Sequence, residues 1–186
     1  VCAEATAPGK YNDPDMLVVG KLGQGWGNKV HDSYLTVDEQ YSHISLWCIL
    51  SAPLLIGCDM ANMDNFTLGL LTNNEVIAVN QDPIPAPARK LIVENGQIWY
   101  KKLHDDSFAV GFFHIDPYFI LWDQNDAEAM QMRDYHFKFD LKQLGINGKA
   151  KVRDLWRQKD LGEIKGSFET KVPYHGVTFV KITPVE

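Results

Sequence analysis

Tyr11-Asn12-Asp13-Pro14-Asp15-Met16-Leu17-Val18-Val19-Gly20 sets two carboxylates one residue apart around a proline and runs straight into an apolar stretch. In an extended chain residues i and i+2 point to one side, so Asp13 and Asp15 are expected to project together. Apolar residues directly after polar ones predict a buried strand over 13–20 whose end presents charged groups to a cleft. The competing reading is an ordinary turn, because Asn and Asp hydrogen-bond their own backbone and Pro fixes its φ. The surrounding sequence decides between the two.

Downstream, Gly20-Lys21-Leu22-Gly23-Gln24-Gly25-Trp26-Gly27 is a glycine-rich loop. It is not a phosphate cradle, since no Gly-Lys-Ser/Thr follows and no helix opens directly from it. Thr36 with Glu39 three positions on is a capping box, which predicts a helix through Tyr41, Ile44, Ser45, Trp47 and Cys48 to about Leu50, stopping before Pro53. His43 on this helix is read as an interior histidine that finds a partner, in preference to a catalytic one. Pro53-Leu54-Leu55-Ile56-Gly57-Cys58-Asp59 predicts a second buried strand, again ending in a carboxylate. Residues 67–80 predict one further helix, interrupted around Thr72-Asn73-Asn74. Apolar strands alternating with helices are a parallel β/α pattern.

The pattern changes near residue 83. Pro83-Ile84-Pro85-Ala86-Pro87-Ala88 is a stiff, extended linker. Beyond it no long helix is predicted. Leu91–Tyr100 turns on Asn95-Gly96, a strong hairpin signal, and His136–Leu141 places Phe137, Phe139 and Leu141 on one face. Further strands are expected at Phe108–Ile115, Lys151–Trp156, Phe168–Val172 and Val177–Ile182, a spacing that indicates an antiparallel sandwich or barrel. The expected organisation is therefore 1–82 as β/α units, 83–90 as linker and 91–186 as an antiparallel β-sandwich.

Composition narrows the chemistry. The 186 residues are 45% hydrophobic and 23% charged, values of an ordinary globular chain, and no apolar run approaches a membrane span of about 18 residues. Val1-Cys2-Ala3-Glu4-Ala5-Thr6 lacks the basic head and apolar core of a signal peptide. Residues 1–82 carry three lysines against ten acids, whereas the remainder holds 15 basic and 14 acidic residues. Neither part offers the basic face that nucleic acid requires, and an acidic, aromatic-bearing part suits a neutral polyol such as a sugar. Cys2, Cys48 and Cys58 have no metal-ligand spacing and cannot all pair with one another, so Cys48 and Cys58 are read as small core residues and no compartment follows from them. No metal or cofactor is expected.

Taken together, Asn12-Asp13-Pro14-Asp15-Met16-Leu17 with Gly20, Leu35-Thr36 with Glu39 and His43, Leu46-Trp47, Ala52-Pro53-Leu54-Leu55 with Gly57 and Asp59, and Glu75-Val76-Ile77-Ala78-Val79-Asn80-Gln81-Asp82-Pro83 resemble the C-terminal part of an α-galactosidase of glycoside hydrolase family 27. Val152-Arg153-Asp154-Leu155-Trp156 and Val172-Pro173-Tyr174-His175-Gly176 resemble the end of the family's C-terminal domain. The resemblance implies the last two β/α units of a (β/α)8 barrel followed by an antiparallel β-sandwich, so the chain reads as a fragment. It implies a retaining hydrolase of terminal α-galactosides, with a galactose-containing oligosaccharide as partner and an extracytoplasmic setting. A homo-oligomer is compatible with it.

Retaining glycosidases use two carboxyl groups about 5–5.5 Å apart. By resemblance both lie on segments preceding Val1, so no catalytic residue is assigned in this chain. Asp15 matches the family residue that hydrogen-bonds sugar hydroxyls and Met16 its pocket-lining neighbour. An ionised carboxylate makes charge-assisted bonds to hydroxyls, and these bonds depend on hydroxyl orientation. Asn12, Asp13 and Asp59 are expected as supports of the strand ends, and Tyr11 as an aromatic wall where the family commonly has Trp. Related enzymes acting on α-N-acetylgalactosamine or β-L-arabinopyranose share these motifs, and a non-catalytic carbohydrate-binding or structural module is the alternative. The aromatic run Ile115–Asp123 is expected to pack beneath a loop in preference to stacking on a sugar.

Overall fold

The computed structural model describes residues 6–7, 9–23, 29–84, 86–115 and 134–185. The aromatic run singled out above lies outside them from residue 116 onward.

In the first part, strands β1 (Lys21–Leu22) and β2 (His31–Asp32) pair antiparallel. Helix α1 (Val37–Ile49) starts at the expected capping box: Glu39 N–H donates to Thr36 Oγ1 at 3.3 Å and Thr36 N–H donates to the Glu39 carboxylate at 2.7 Å. The interrupted helix resolves into α2 (Asn65–Thr72) and α3 (Asn74–Asn80). Asn73, extended with ψ 104°, ends the first, and its side chain caps the second by accepting from Glu75 and Val76 N–H.

The two apolar segments expected as strands run parallel, but neither is a continuous strand. They meet in one bridge, Leu17 to Ile56, in which Leu17 N–H donates to Leu55 O at 2.7 Å and Gly57 N–H to Leu17 O at 3.1 Å. Beyond it Asp59 N–H donates to Lys21 O at 2.8 Å. The ladder stops because Asp15 (φ 81°) and Gly20 (φ 66°) take left-handed conformations that break the extended repeat on either side of Leu17. Met16, Val18, Leu55 and Ile56 stay exposed around the bridge.

The second part is built from β3 (Arg89–Val93), β4 (Gly96–Lys102), β5 (Phe108–His114), β6 (Tyr135–Asp140), β7 (Lys149–Asp154), β8 (Lys159–Lys165), β9 (Ser167–Val172) and β10 (Val177–Val185). Six form one sheet in the order β3-β4-β5-β10-β7-β8, and β6 pairs with β9 in a second. The hairpin turns at Glu94-Asn95, with Val93 opposite Gly96. Strand β8 was not expected: an exposed edge strand, Lys159-Asp160-Leu161-Gly162-Glu163-Ile164-Lys165, has no buried face to impose an alternating pattern.

The centre of the six-stranded sheet is buried on both faces, and the two faces separate with the period of a strand. Val110 and Phe112 of β5 and Val180 and Ile182 of β10 meet Phe137, Phe139, Phe168 and Val172 from the small sheet. Ala109 and Phe113, with Val177 and Phe179, instead join Ile44, Cys48, Ile49, Leu70, Val76 and Val79 of the helices and Leu17 and Val19 of the bridge segment. The β/α part therefore shares a core with the sandwich.

Polar groups fasten this seam. Arg153 grips Glu75 with two bonds of 2.6 and 2.8 Å, Trp156 Nε1–H donates to Ser45 Oγ at 2.8 Å, and Asn73 Nδ2 donates to Leu155 O at 3.1 Å. His175 Nδ1 meets the capping-box carboxylate of Glu39 at 2.7 Å. Lys101, only 1% exposed, donates to Ser51 Oγ at 2.7 Å and to Cys48 O at 3.4 Å, at the C-terminal end of α1. Burial holds this amine down to about 8, with Asp82 pulling the other way.

Candidate sugar-binding site

The Asn12–Leu17 segment builds the candidate site from its own hydrogen bonds. Asp15 N–H donates to Asp13 Oδ1 at 2.9 Å, and Met16 N–H donates to Asp15 Oδ1 at 2.8 Å. The carbonyl of Asp15 accepts from Trp47 Nε1–H at 2.9 Å. With φ 81°, Asp15 does not continue an extended chain, so the equal-sided projection expected for Asp13 and Asp15 is corrected: Asp13 turns back to hold the peptide of Asp15. Asp and Asn are among the few residues that tolerate this conformation.

Asp15 and Met16 are exposed, the latter at 44%. Gly57, on the neighbouring segment, leaves room for Met16: a Cβ there would stand 3.3 Å from Met16 Cβ, 3.5 Å from its sulfur and 3.0 Å from Leu17 O. The result is an exposed carboxylate at Asp15 followed by the exposed apolar side chain of Met16, which lies over Gly57. A carboxylate accepts from hydroxyl groups, and an apolar side chain receives the C–H face of a pyranose.

The other predicted residues fall elsewhere. Asn12 Nδ2 donates to Thr6 Oγ1 at 3.2 Å, tying the approach to the turn. Asp59, 7% exposed, spends its carboxylate on the short 3-10 helix Met60–Asn62, accepting from Ala61 N–H at 3.0 Å and Asn62 Nδ2 at 2.6 Å. Tyr11 lines a cleft of about 490 Å³ with Pro53, Leu54, Asn80, Gln81 and Asp82, and neither Asp15 nor Met16 is among the described residues that line it. Cys48 is wholly buried, and burial pushes its thiol up to about 12; Cys58 is half-buried. Among the described residues no cluster of His, Cys, Asp and Glu is arranged to hold a metal ion.

Sequence reasoning missed how the site is supported. Gln40, His43 and Trp47 recur on one side of α1 and bond the backbone of the bridge segment in turn. Gly20 N–H donates to Gln40 Oε1 at 3.1 Å, and Val18 N–H to His43 Nε2 at 3.1 Å. Trp47 completes the series at Asp15. His43 thus acts as an acceptor, which requires a neutral ring, and burial pulls it down to about 4. The available signal was the three- and four-residue spacing of the hydrogen-bonding side chains at 40, 43 and 47 along one side of the helix.

Comparisons with known proteins agree with this architecture. Residues 1–82 match the model described as "Alpha galactosidase A", and residues 93–182 match "Alpha galactosidase C-terminal beta sandwich domain". The chain belongs to the α-galactosidase (melibiase) family. Its relatives include Alpha-galactosidase 3 of Arabidopsis thaliana, 37% identical over 98% of this chain and 37% of that protein. A probable alpha-galactosidase of Dictyostelium discoideum is 35% identical over 95% of this chain and 41% of its own length. The chain therefore spans about two fifths of the length of each of these two relatives. Among solved structures, a GH27 β-L-arabinopyranosidase from Geobacillus stearothermophilus superposes with a TM-score of 0.79 at 29% identity, covering 95% of this chain and 38% of that one. Alpha-galactosidase I of Mortierella vinacea gives 0.76 at 25%, covering 98% and 43%. The β/α part is thus a piece of the family's barrel, and the second part is its C-terminal sandwich.

Proposed function

We propose that the chain is the C-terminal part of a retaining α-galactosidase that removes terminal α-D-galactosyl residues from oligosaccharides or glycoconjugates, with residues 1–82, 83–90 and 91–186 as barrel units, linker and sandwich. Asp15 accepts hydrogen bonds from ring hydroxyls, Met16 lines the pocket beside it, and the bond-breaking carboxylates lie on barrel segments outside this sequence. The observation that carries this reading is the exposed Asp15 carboxylate, fixed in a left-handed turn by Asp13 and Trp47 and set beside Met16 over Gly57, in a chain of the α-galactosidase family. Asp13, accepting from Asp15 N–H, supports that turn. Asn12 and Asp59 brace the two segment ends, and Tyr11 forms an aromatic wall in the neighbouring cleft.

The test is Asp15→Asn in the full-length enzyme, assayed on an aryl α-galactoside. Asn keeps the left-handed turn, whereas Ala would add backbone strain. Losing hydrogen bonds to a charged acceptor costs about 1.5–3 kcal/mol, so kcat/KM should fall about 10- to 150-fold. An unchanged value would remove Asp15 from the pocket. A second reading is favoured by the β-L-arabinopyranosidase likeness: the same site would take a sugar without the hydroxymethyl group at C5. Comparing aryl α-galactoside with aryl β-L-arabinopyranoside separates the two.

A further inference from the structure

We propose that Trp47 is a positioning residue for sugar recognition, its indole N–H on the carbonyl of Asp15 setting the turn that aims the Asp15 carboxylate; this inference rests on the reading of Asp15 as a sugar contact. The segment from Asp15 to Gly20 has two hydrogen-bonding edges. One is met by backbone, Leu17 pairing with Leu55 and Gly57. The other is met by side chains of α1: Gln40 at Gly20, His43 at Val18 and Trp47 at Asp15. The order is reversed along the two elements, as it must be for a helix running antiparallel to the segment it covers. The contacts at 40, 43 and 47 follow the three- and four-residue spacing of one helix face.

Within this series Trp47 differs from its two companions. Gln40 and His43 accept from the backbone N–H groups of Gly20 and Val18, whereas Trp47 donates to a carbonyl, and that carbonyl belongs to Asp15, which unlike Asp13 combines a left-handed φ with an exposed carboxylate. Asp13 holds the N–H of the same residue at 2.9 Å, so the peptide groups on both sides of the Asp15 side chain are fixed from outside it. A carboxylate attached to a peptide fixed at both ends has only its own rotamers left to lose on binding sugar, which lowers the ordering cost of recognition. The Trp47 ring is itself oriented by the His43 ring, 4.0 Å away, and its own carbonyl accepts from Ala52 N–H at 3.0 Å.

The experiment is a double-mutant cycle of Trp47→Phe and Asp15→Asn in the full-length enzyme, read as KM and kcat on an aryl α-galactoside. Phe keeps the ring packing and removes only the N–H. One neutral hydrogen bond corresponds to about a fivefold change, expected in KM with kcat altered less than twofold, because binding of a hydroxyl remote from the broken bond is common to ground and transition states. In the Asp15→Asn background Trp47→Phe should leave KM unchanged within about 1.5-fold, since the group it aims is no longer charged. Equal effects of Trp47→Phe in both backgrounds, or a fall in kcat that tracks a lower melting temperature, would overturn the inference and reduce Trp47 to packing. Failure of Asp15→Asn itself to change KM would instead sink the sugar-contact reading. Should the full-length Trp47→Phe enzyme fail to fold, hydrogen exchange on the 186-residue chain decides: the Asp15 and Met16 amides should exchange at least fivefold faster in the variant with Gly20 unchanged, and equal rates at Asp15 and Met16 would overturn it.

Discussion

Replacing Lys101 with methionine should stabilise the protein at pH 7 and destabilise it at pH 10.5. The ammonium is sealed between β4 and the end of α1 with 1% exposure, and burial draws it from 10.5 to about 8. A drop of that size corresponds to about 3 kcal/mol against the charged form. The sign follows from proton counts. Below pH 8 the lysine is protonated in both folded and unfolded states, and the full cost is present. Between pH 8 and 10.5 the unfolded chain holds the proton and the folded one does not, so stability rises with pH until the cost is gone. Methionine fills nearly the same volume without charge but forfeits the bonds to Ser51 Oγ and Cys48 O, together about 1–2 kcal/mol. Lys101→Met should therefore gain about 1–2 kcal/mol at pH 7 and lose about 1–2 kcal/mol at pH 10.5. Urea unfolding followed by tryptophan fluorescence at both pH values measures the gap, and taking the difference between variant and parent cancels the other titrating groups. A variant less stable at pH 7 by the same amount as at pH 10.5 would show that Lys101 acts only as a clasp between the parts and carries no burial cost.

Other consequences are equally direct. Gly20→Ala should lower stability by about 3 kcal/mol in urea, because φ is 66° and the new Cβ would stand 2.6 Å from Thr67 Cγ2; a loss under 1 kcal/mol would mean that Thr67 moves aside freely. His43, neutral in the folded state down to about 4, should cost about 2 kcal/mol of stability as the pH falls from 6.5 to 4, a figure reduced for its partial exposure, since only the unfolded chain takes up a proton in that window. His43→Gln, which keeps an acceptor for Val18 N–H, should flatten that acid limb in unfolding curves, and an unaltered limb would count against the neutral ring. Amide exchange should be slower in 91–182 than in 13–60, because the four inner strands of the large sheet, β4, β5, β10 and β7, are paired along both edges while Leu17 and Ile56 meet in a single bridge. The reverse order of protection would contradict the placement of the stable core.

Local chemistry was legible where a short stretch of sequence determines its own conformation. Thr36 and Glu39 close a capping box and Asn73 both stops and starts a helix, while the hairpin signalled by Asn95-Gly96 forms with its turn one residue earlier, at Glu94-Asn95. Features imposed by distant packing were not. Lys101 stands in Trp99-Tyr100-Lys101-Lys102, where alternation puts it on the helix-facing side of β4, yet a lysine beside another lysine looks like the solvated end of a strand. Strand β8 exists because β7 offers it an edge, not through any pattern of its own. At the candidate site the relation of Asp13 to Asp15 was misread, because spacing alone assumes extended backbone, whereas Asp15 takes a left-handed turn whose carbonyl is held by Trp47, 32 residues away. Gln40, His43 and Trp47 could be placed on one helix face from sequence, but that this face covers the edge of a strand segment is a tertiary fact.

On the proposed reading Asp15 recognises sugar while other carboxylates break the bond. The most direct test is kcat/KM of the full-length Asp15→Asn enzyme on an aryl α-galactoside, measured beside the parent. The expected value is about 10- to 150-fold lower, with catalysis still detectable. A value equal to the parent's, or activity abolished entirely in a folded enzyme as for loss of a nucleophile, would contradict it.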